Sequence, residues 1–270
     1  MDNIRHLPNP DRLSILSAAI LLAYASSRFV DIPPREFGMQ LPGFYLAVEV
    51  NIHTVVTLLV AGMTATGADL LLRDHPKMEG RSTIEHWLLP ALTAWTLGIP
   101  LIRLEIGLEW MISFLVGGAI LMLVLLAEYI SVDPDDQRYP LASAALTAVA
   151  YALFLILSIS LQSAGLRLFL ILPALLLASG LVSLRTLHLR VFDRWQVLPT
   201  LVIVLILAGI ISALHYWPIS PITFGLLVLG PAYSLTSFIG GLSENQPLRK
   251  AIIEPGLMLT AVWAVAIWVS

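Results

Sequence analysis

The sequence contains no cysteine, which removes disulfide frameworks, thiolate nucleophiles, iron–sulfur clusters and cysteine-ligated zinc together. Charge is also scarce. Asp, Glu, Lys and Arg make up 12% of the 270 residues, about half of the roughly 25% that a soluble domain uses to cover its surface. Lysine is nearly missing, with Lys77 and Lys250 beside thirteen arginines, and the formal net charge is −3. With no basic block, a nucleic-acid partner is excluded, as is a coiled coil. No Asn-x-Ser/Thr acceptor occurs. Four catalytic signatures are absent as well: the His-Glu-x-x-His zinc helix, the Gly-x-Ser-x-Gly elbow, the phosphate-binding P-loop and the Gly-x-Gly-x-x-Gly dinucleotide turn. The reading therefore leans away from an enzyme, and names no cofactor and no metal.

What the chain has in abundance is oil: 58% of residues are apolar and the mean hydropathy is +0.86. A spanning helix needs about 20 apolar residues, because a bilayer core is about 30 Å thick and each residue rises about 1.5 Å. Nine runs qualify: 13–27, 44–72, 84–102, 106–130, 141–161, 166–182, 197–214, 219–240 and 252–268. The expected fold is an all-α, polytopic transmembrane bundle of nine spans forming one integral domain over 1–270. Ala23-Tyr24-Ala25 near the end of the first run resembles a signal-peptidase site, and cleavage there would leave eight. The turn between the third and fourth runs can fall on either side of Pro100.

Loop charges give an orientation, since Lys and Arg of short loops stay on the cytoplasmic side. Arg5, Arg12, Arg73, Lys77, Arg81, Arg138, Arg185, Arg190, Arg194, Arg249 and Lys250 fall on one side, against Arg28, Arg35, Arg103 and Arg167 on the other. The N-terminus is expected inside and the C-terminus outside. Trp87, Trp110, Trp195, Trp217 and Trp268 sit near run ends, where an indole can bury its ring and wet its N–H. Pro90, Pro140, Pro199 and Pro255 open the outward-running helices, where the missing N–H costs nothing. The arginine-rich usage suggests a bacterial inner-membrane protein, whose partners are the bilayer itself and anionic lipid headgroups at the cytoplasmic loops.

The segments Leu72-Arg73-Asp74-His75 and Leu184-Arg185-Thr186-Leu187-His188 resemble each other, and each is followed by a run opening with Trp and then Pro: Trp87-Leu88-Leu89-Pro90 and Trp195-Gln196-Val197-Leu198-Pro199. This spacing suits a one-plus-four-plus-four plan with parallel repeats at 44–161 and 166–270. Ordinary placement of Arg, His and Trp at inner helix ends is the plainer account of it.

Ionisable residues inside a membrane are costly, which makes them the first functional candidates. Glu49, Asn51 and His53 fall in the second run, with Glu49 and His53 four apart and so on one helical face. Glu105 and Glu109 share the same spacing in the fourth run. Both pairs fall near the outer leaflet, where a carboxylate–imidazole group could bind a proton or small solute. Headgroup-level solvation is the plainer account of Glu105 and Glu109. On the inner side Asp133 and Asp136 form an acidic cluster that also reads as an Asp-Pro turn. Glu128 either lines a cavity or is buried against arginines, and Arg185 and His188 read as topology signals with a capacity for phosphate. The leading expectation is a small-solute or proton-linked ion carrier. The alternatives are a non-catalytic membrane subunit or assembly factor, and a lipid-modifying membrane enzyme at the cytoplasmic face.

Overall fold

The computed structural model of the chain describes residues 8–27, 35–41, 44–50, 52–78, 82–191 and 195–269. Nine α-helices lie among them: α1 (Pro10–Ser27), α2 (Ile52–Leu72), α3 (Leu88–Arg103), α4 (Leu108–Ile130), α5 (Tyr139–Ser163), α6 (Leu168–Arg190), α7 (Val197–His215), α8 (Pro221–Ser243) and α9 (Leu248–Val269). They match the nine hydrophobic runs in order. Seven of them, α2 and α4 to α9, are long and apolar enough to cross a membrane. Pro10, Asp11 and Arg12 dilute α1, and α3 has 16 residues, about 24 Å at 1.5 Å each.

Residues 44–50 are not helix. They form a strand, β2 (Phe44–Val50), paired antiparallel with β1 (Arg35–Leu41), with Phe44 opposite Leu41 and Val50 opposite Arg35. The bundle itself is helical as expected, but this hairpin precedes its second member and corrects the second run: the helix begins at Ile52, not at residue 44. Aromatic and β-branched residues dominate Phe44-Tyr45-Leu46-Ala47-Val48-Glu49-Val50, a composition suited to a pleated strand once a partner strand satisfies its backbone.

Helix boundaries move elsewhere too. The turn after α3 falls at 104–107, so Pro100 lies inside that helix. Helix α9 starts at Leu248, just after Pro247, and Pro255 is interior to it; Pro255 therefore does not open its helix. Helix α6 continues past Val182 to Arg190, placing Arg185, His188 and Arg190 on a helix rather than in a loop. Gly230-Pro231 interrupts α8. Proline at 231 leaves the Leu227 carbonyl without its intrahelical donor, and the Trp263 indole N–H points at that oxygen from α9, 3.4 Å away.

The short α3 occupies the centre, packing against α1, α2, α4, α5 and α6. Leu89, Leu92, Thr93, Ala94 and Thr96 along it are buried. Two apolar cores meet across it. One joins Ile20, Tyr24, Val60, Leu71 and Leu121 from α1, α2 and α4. The other joins Phe154, Leu157, Ile171, Leu175, Ile203, Leu207, Phe224 and Val228 from α5 to α8. The Tyr24 hydroxyl donates to the Ala94 carbonyl, and Arg12 pairs with Asp74, tying α1 to α3 and to the end of α2.

Close approach at the centre depends on Gly98. A Cβ there would lie 2.7 Å from Thr57 Cγ2 and 3.0 Å from the Tyr24 ring, and a β-branched threonine has little rotameric freedom to retreat. Gly62 has open space around it. We expect Gly98→Val to lower the unfolding temperature in detergent, with overpacking costing about 1–3 kcal/mol, while Gly62→Ala leaves it unchanged or slightly higher. Equal melting of the two variants would contradict the packing of α3 against α1 and α2.

Candidate functional site

Three helix ends meet at one end of the bundle. A single 3-10 turn, Ile84–His86, leads into α3 and turns His86 inward. Helix α4 ends just after Glu128, and Ser131 follows it. Helix α6 brings Arg185, among the largest fully buried side chains in the protein at 1% exposure; Glu128 is also at 1% and His86 at 5%. A lone charge at such a position carries a desolvation penalty of several kcal/mol, so these groups must satisfy one another.

They do so around one carboxylate. Arg185 Nε donates to Glu128 Oε1 at 3.0 Å, and Arg185 Nη2 donates to Glu128 Oε2, the two-pronged pairing that a planar guanidinium favours. Arg185 Nη2 also donates to Ser131 Oγ at 2.9 Å, and that hydroxyl donates to the Glu128 carbonyl at 2.9 Å. His86 Nδ1 lies 2.8 Å from Glu128 Oε2 and 3.1 Å from Arg185 Nη2. These two contacts need opposite proton states. The first requires a proton on Nδ1; the second is a hydrogen bond only if Nδ1 is bare. The shorter contact is to a carboxylate and Arg185 has other acceptors, so Nδ1–H is the arrangement that satisfies every group. A further proton could then enter only at Nε2, placing a second cation beside Arg185.

A cavity of about 20 Å³ adjoins the cluster, with Glu85, His86, Ser131, Tyr139, Arg185 and His188 on its wall. That volume suits about one water molecule. Glu85 presents a buried carboxylate oxygen with no partner among the described residues. The Tyr139 hydroxyl is held by the Leu189 carbonyl at 2.8 Å.

Among the residues singled out from sequence, Glu128 and Arg185 are brought together, with His188 on the wall of the adjoining cavity. Arg185 and His188 are buried, so their side chains face the protein rather than the headgroup layer. Asp133 and Asp136 are separate from this centre. Lys77 Nζ pairs with Asp133 at 2.6 Å, and Arg138 with Asp136 at 2.8 Å. Asp135 N donates to Asp133 Oδ1 at 3.0 Å, the local bonding of an Asx turn. Its hydrogen bond to Asp133 pushes the exposed Lys77 ammonium pKa upward.

The first set fares differently. Glu49 lies in β2 opposite Glu36, while His53 lies in α2, so the shared helical face that motivated the pair does not exist. Asn51 and the side chains of Glu49 and His53 lie outside the described residues. Glu105 precedes α4 and Glu109 sits in its first turn, both exposed. Sequence reasoning missed His86 as a partner. Its signal was available: His86, Glu128 and Arg185 all occupy helix ends of one predicted side.

Residues 32–269 match the family model described as Protein of unknown function (DUF5656). The chain belongs to that family. The match takes in the hairpin, α2 to α9 and every residue of the buried cluster, and leaves α1 outside. No curated protein and no solved structure matches the chain.

Removing one partner of a buried ion pair strands the other, at a cost of about 3–5 kcal/mol, whereas replacing both with apolar groups is often neutral. Arg185→Met should therefore lower the detergent melting temperature by many degrees. Combining it with Glu128→Met should recover most of the loss. If the double variant melts no higher than Arg185→Met, the two side chains are not energetically coupled.

Proposed function

We propose that this member of the DUF5656 family is a proton-linked carrier of a small solute, with the His86–Glu128–Arg185 cluster as its proton-responsive element. One observation supports the reading: a single buried carboxylate is claimed at once by a guanidinium and by an imidazole. With Nδ1–H and a neutral imidazole the cluster is balanced, Glu128 against Arg185. A proton on His86 Nε2 makes it net positive and strengthens the claim of His86 on Glu128. Arg185 is then the group that loses, and it sits on α6 while Glu128 sits on α4. Protonation is thus coupled to the grip between two helices, which is the differential interaction a two-state carrier needs. The titratable and charged groups facing His86 are Glu85 on its own turn, Glu128 from α4, Tyr139 from α5, and Arg185 and His188 from α6.

In this reading the bundle sits in a bacterial inner membrane with the His86 end toward the cytoplasm, the N-terminus inside and the C-terminus outside, α1 and α3 completing nine passes. Glu49, Asn51 and His53, with Glu105 and Glu109, then serve the opposite leaflet as the outer approach for solute.

Topology has a direct test. Alkaline phosphatase fused after Ser270 should be active in a bacterial host and a fluorescent reporter there should be dark. The reverse pattern would invert the assignment of both ends.

Proton linkage is tested in vesicles holding a pH-sensitive dye, with the protein reconstituted and a panel of amino acids, sugars and organic anions added outside in turn. At least one solute should acidify the lumen with wild-type protein. His86→Asn, which keeps a hydrogen-bonding side chain without the titration, should melt like wild type yet lose proton movement. Solute uptake that proceeds without proton movement, or proton movement unchanged in His86→Asn, would overturn the proposal.

A further inference from the structure

Helices α8 and α9 are joined by a tight turn at the same end of the bundle as His86. Within it Asn245 takes φ 57°, a left-handed conformation that asparagine tolerates better than most residues. The turn places Glu244 beside the first helical turns of α9, where Lys250 and Glu254 are four residues apart and share a face. Arg190 arrives from α6. Its guanidinium donates from Nη1 to the Ser237 carbonyl and from Nη2 to Ser237 Oγ, both at 3.3 Å. A Cβ at Gly240 would lie 2.9 Å from both Arg190 Cδ and Nη1, so the bare glycine is what lets the arginine lie across α8. Gln246 orients the Glu244 carboxylate by donating to one of its oxygens at 2.6 Å.

These residues enclose a polar pocket of about 200 Å³ whose wall includes Arg190, Lys250, Glu244 and Glu254. Two cations and two carboxylates face the same space. Among the described residues no ion pair joins either cation to either carboxylate. On the exposed side of α9 lies a larger groove of about 590 Å³, bounded by Arg249, Ile253, Leu257 and Met258 and sharing Lys250 and Glu254 with the polar pocket. Ile253, Leu257 and Met258 are 48%, 65% and 42% exposed, and they descend α9 away from the turn toward the middle of the bundle.

A ligand that fills both spaces must be polar at one end and apolar along its length. Its head, in the polar pocket, must answer two positive and two negative groups, with Arg249 a third cation beside the apolar groove. A purely anionic head would meet two carboxylates; a purely cationic one would meet Arg190 and Lys250. We propose that this site binds one zwitterionic aminophospholipid of the adjoining leaflet. Its phosphate lies with Arg190 and Lys250, its primary ammonium with Glu244 and Glu254, and an acyl chain lies along Ile253, Leu257 and Met258. A primary ammonium can donate hydrogen bonds to both carboxylates, whereas a trimethylated one cannot, which sets phosphatidylethanolamine apart from phosphatidylcholine.

The test is native mass spectrometry of delipidated full-length protein titrated with phosphatidylethanolamine, phosphatidylcholine and phosphatidylglycerol of the same chains. One phosphatidylethanolamine should be retained per protein, with about tenfold preference over phosphatidylcholine, the scale of a hydrogen bond to a charged group. Glu254→Gln should erase that preference. Lys250→Gln should weaken all three lipids, and Leu257→Trp should weaken phosphatidylethanolamine by filling the groove. Equal retention of phosphatidylethanolamine and phosphatidylcholine by wild type would overturn the assignment. So would preference for phosphatidylglycerol, which would mark an anionic-headgroup site, or phosphoethanolamine without chains competing as well as the whole lipid.

Discussion

Glu128 and Arg185 confront the central constraint on any chain that folds in lipid: a polar group withdrawn from water must find its partner within the protein. Each is 1% exposed, and neither could occupy its place without the other. Their pairing fixes the end of α4 against the end of α6. Through His86 it also fixes the approach of α3, and through Ser131 the start of the turn toward α5. The small cavity bounded by Glu85, Tyr139 and His188 adjoins the groups gathered around that one carboxylate.

Away from it several hydroxyls are satisfied within their own helix. Thr64, Thr93, Ser158, Thr200 and Thr236 each return a hydroxyl to the carbonyl four residues earlier, at 2.7 Å in every case. Such bonds need no partner helix and say nothing about function. Ser183 and Thr236 add something more, because their oxygens meet across α6 and α8 at 2.9 Å and so help hold two helices in register. The distinction separates side chains that merely tolerate the membrane from those that join elements.

The order and positions of the helices were legible from sequence because hydrophobic length is a one-dimensional property. Runs such as 141–161 and 197–214 become α5 and α7 with shifts of two residues or fewer at each end. Two kinds of information were not one-dimensional. Residues 44–50 are apolar enough to extend a helix, and only a partner strand at 35–41 makes them a hairpin, so the Glu49–His53 spacing misled. Likewise Arg185 was read as a loop arginine because hydropathy falls off after Val182, although the backbone continues to Arg190. A charged residue on the last turns of a span scores as an end whether it faces water or a buried carboxylate, and the difference lies in the neighbouring helix. The resemblance of Arg73 and Arg185 illustrates this. Arg73 pairs with Asp69, the last-turn neighbour on its own segment, and is largely exposed, whereas Arg185 is enclosed.

The polar groups of the described bundle are unevenly placed, and this bears on how a carrier of this shape would have to work. The His86 end holds the ion cluster, its cavity and the pocket at Arg190. Beyond them Leu157, Ile171, Leu175, Ile203, Ile211 and Phe224, from α5 to α8, belong to one apolar cluster with essentially no exposure. On the carrier reading a solute crosses only if this packing parts. Packed apolar contacts do not stretch; they separate where the backbone can bend. Pro173 in α6 and Pro231 in α8 interrupt the hydrogen-bond ladder of two helices that contribute to this cluster, and Gly230 beside Pro231 sets the α8–α9 contact at Trp263. On that reading, bending at Pro173 leaves the Arg185 end of α6 free to follow the state of Glu128.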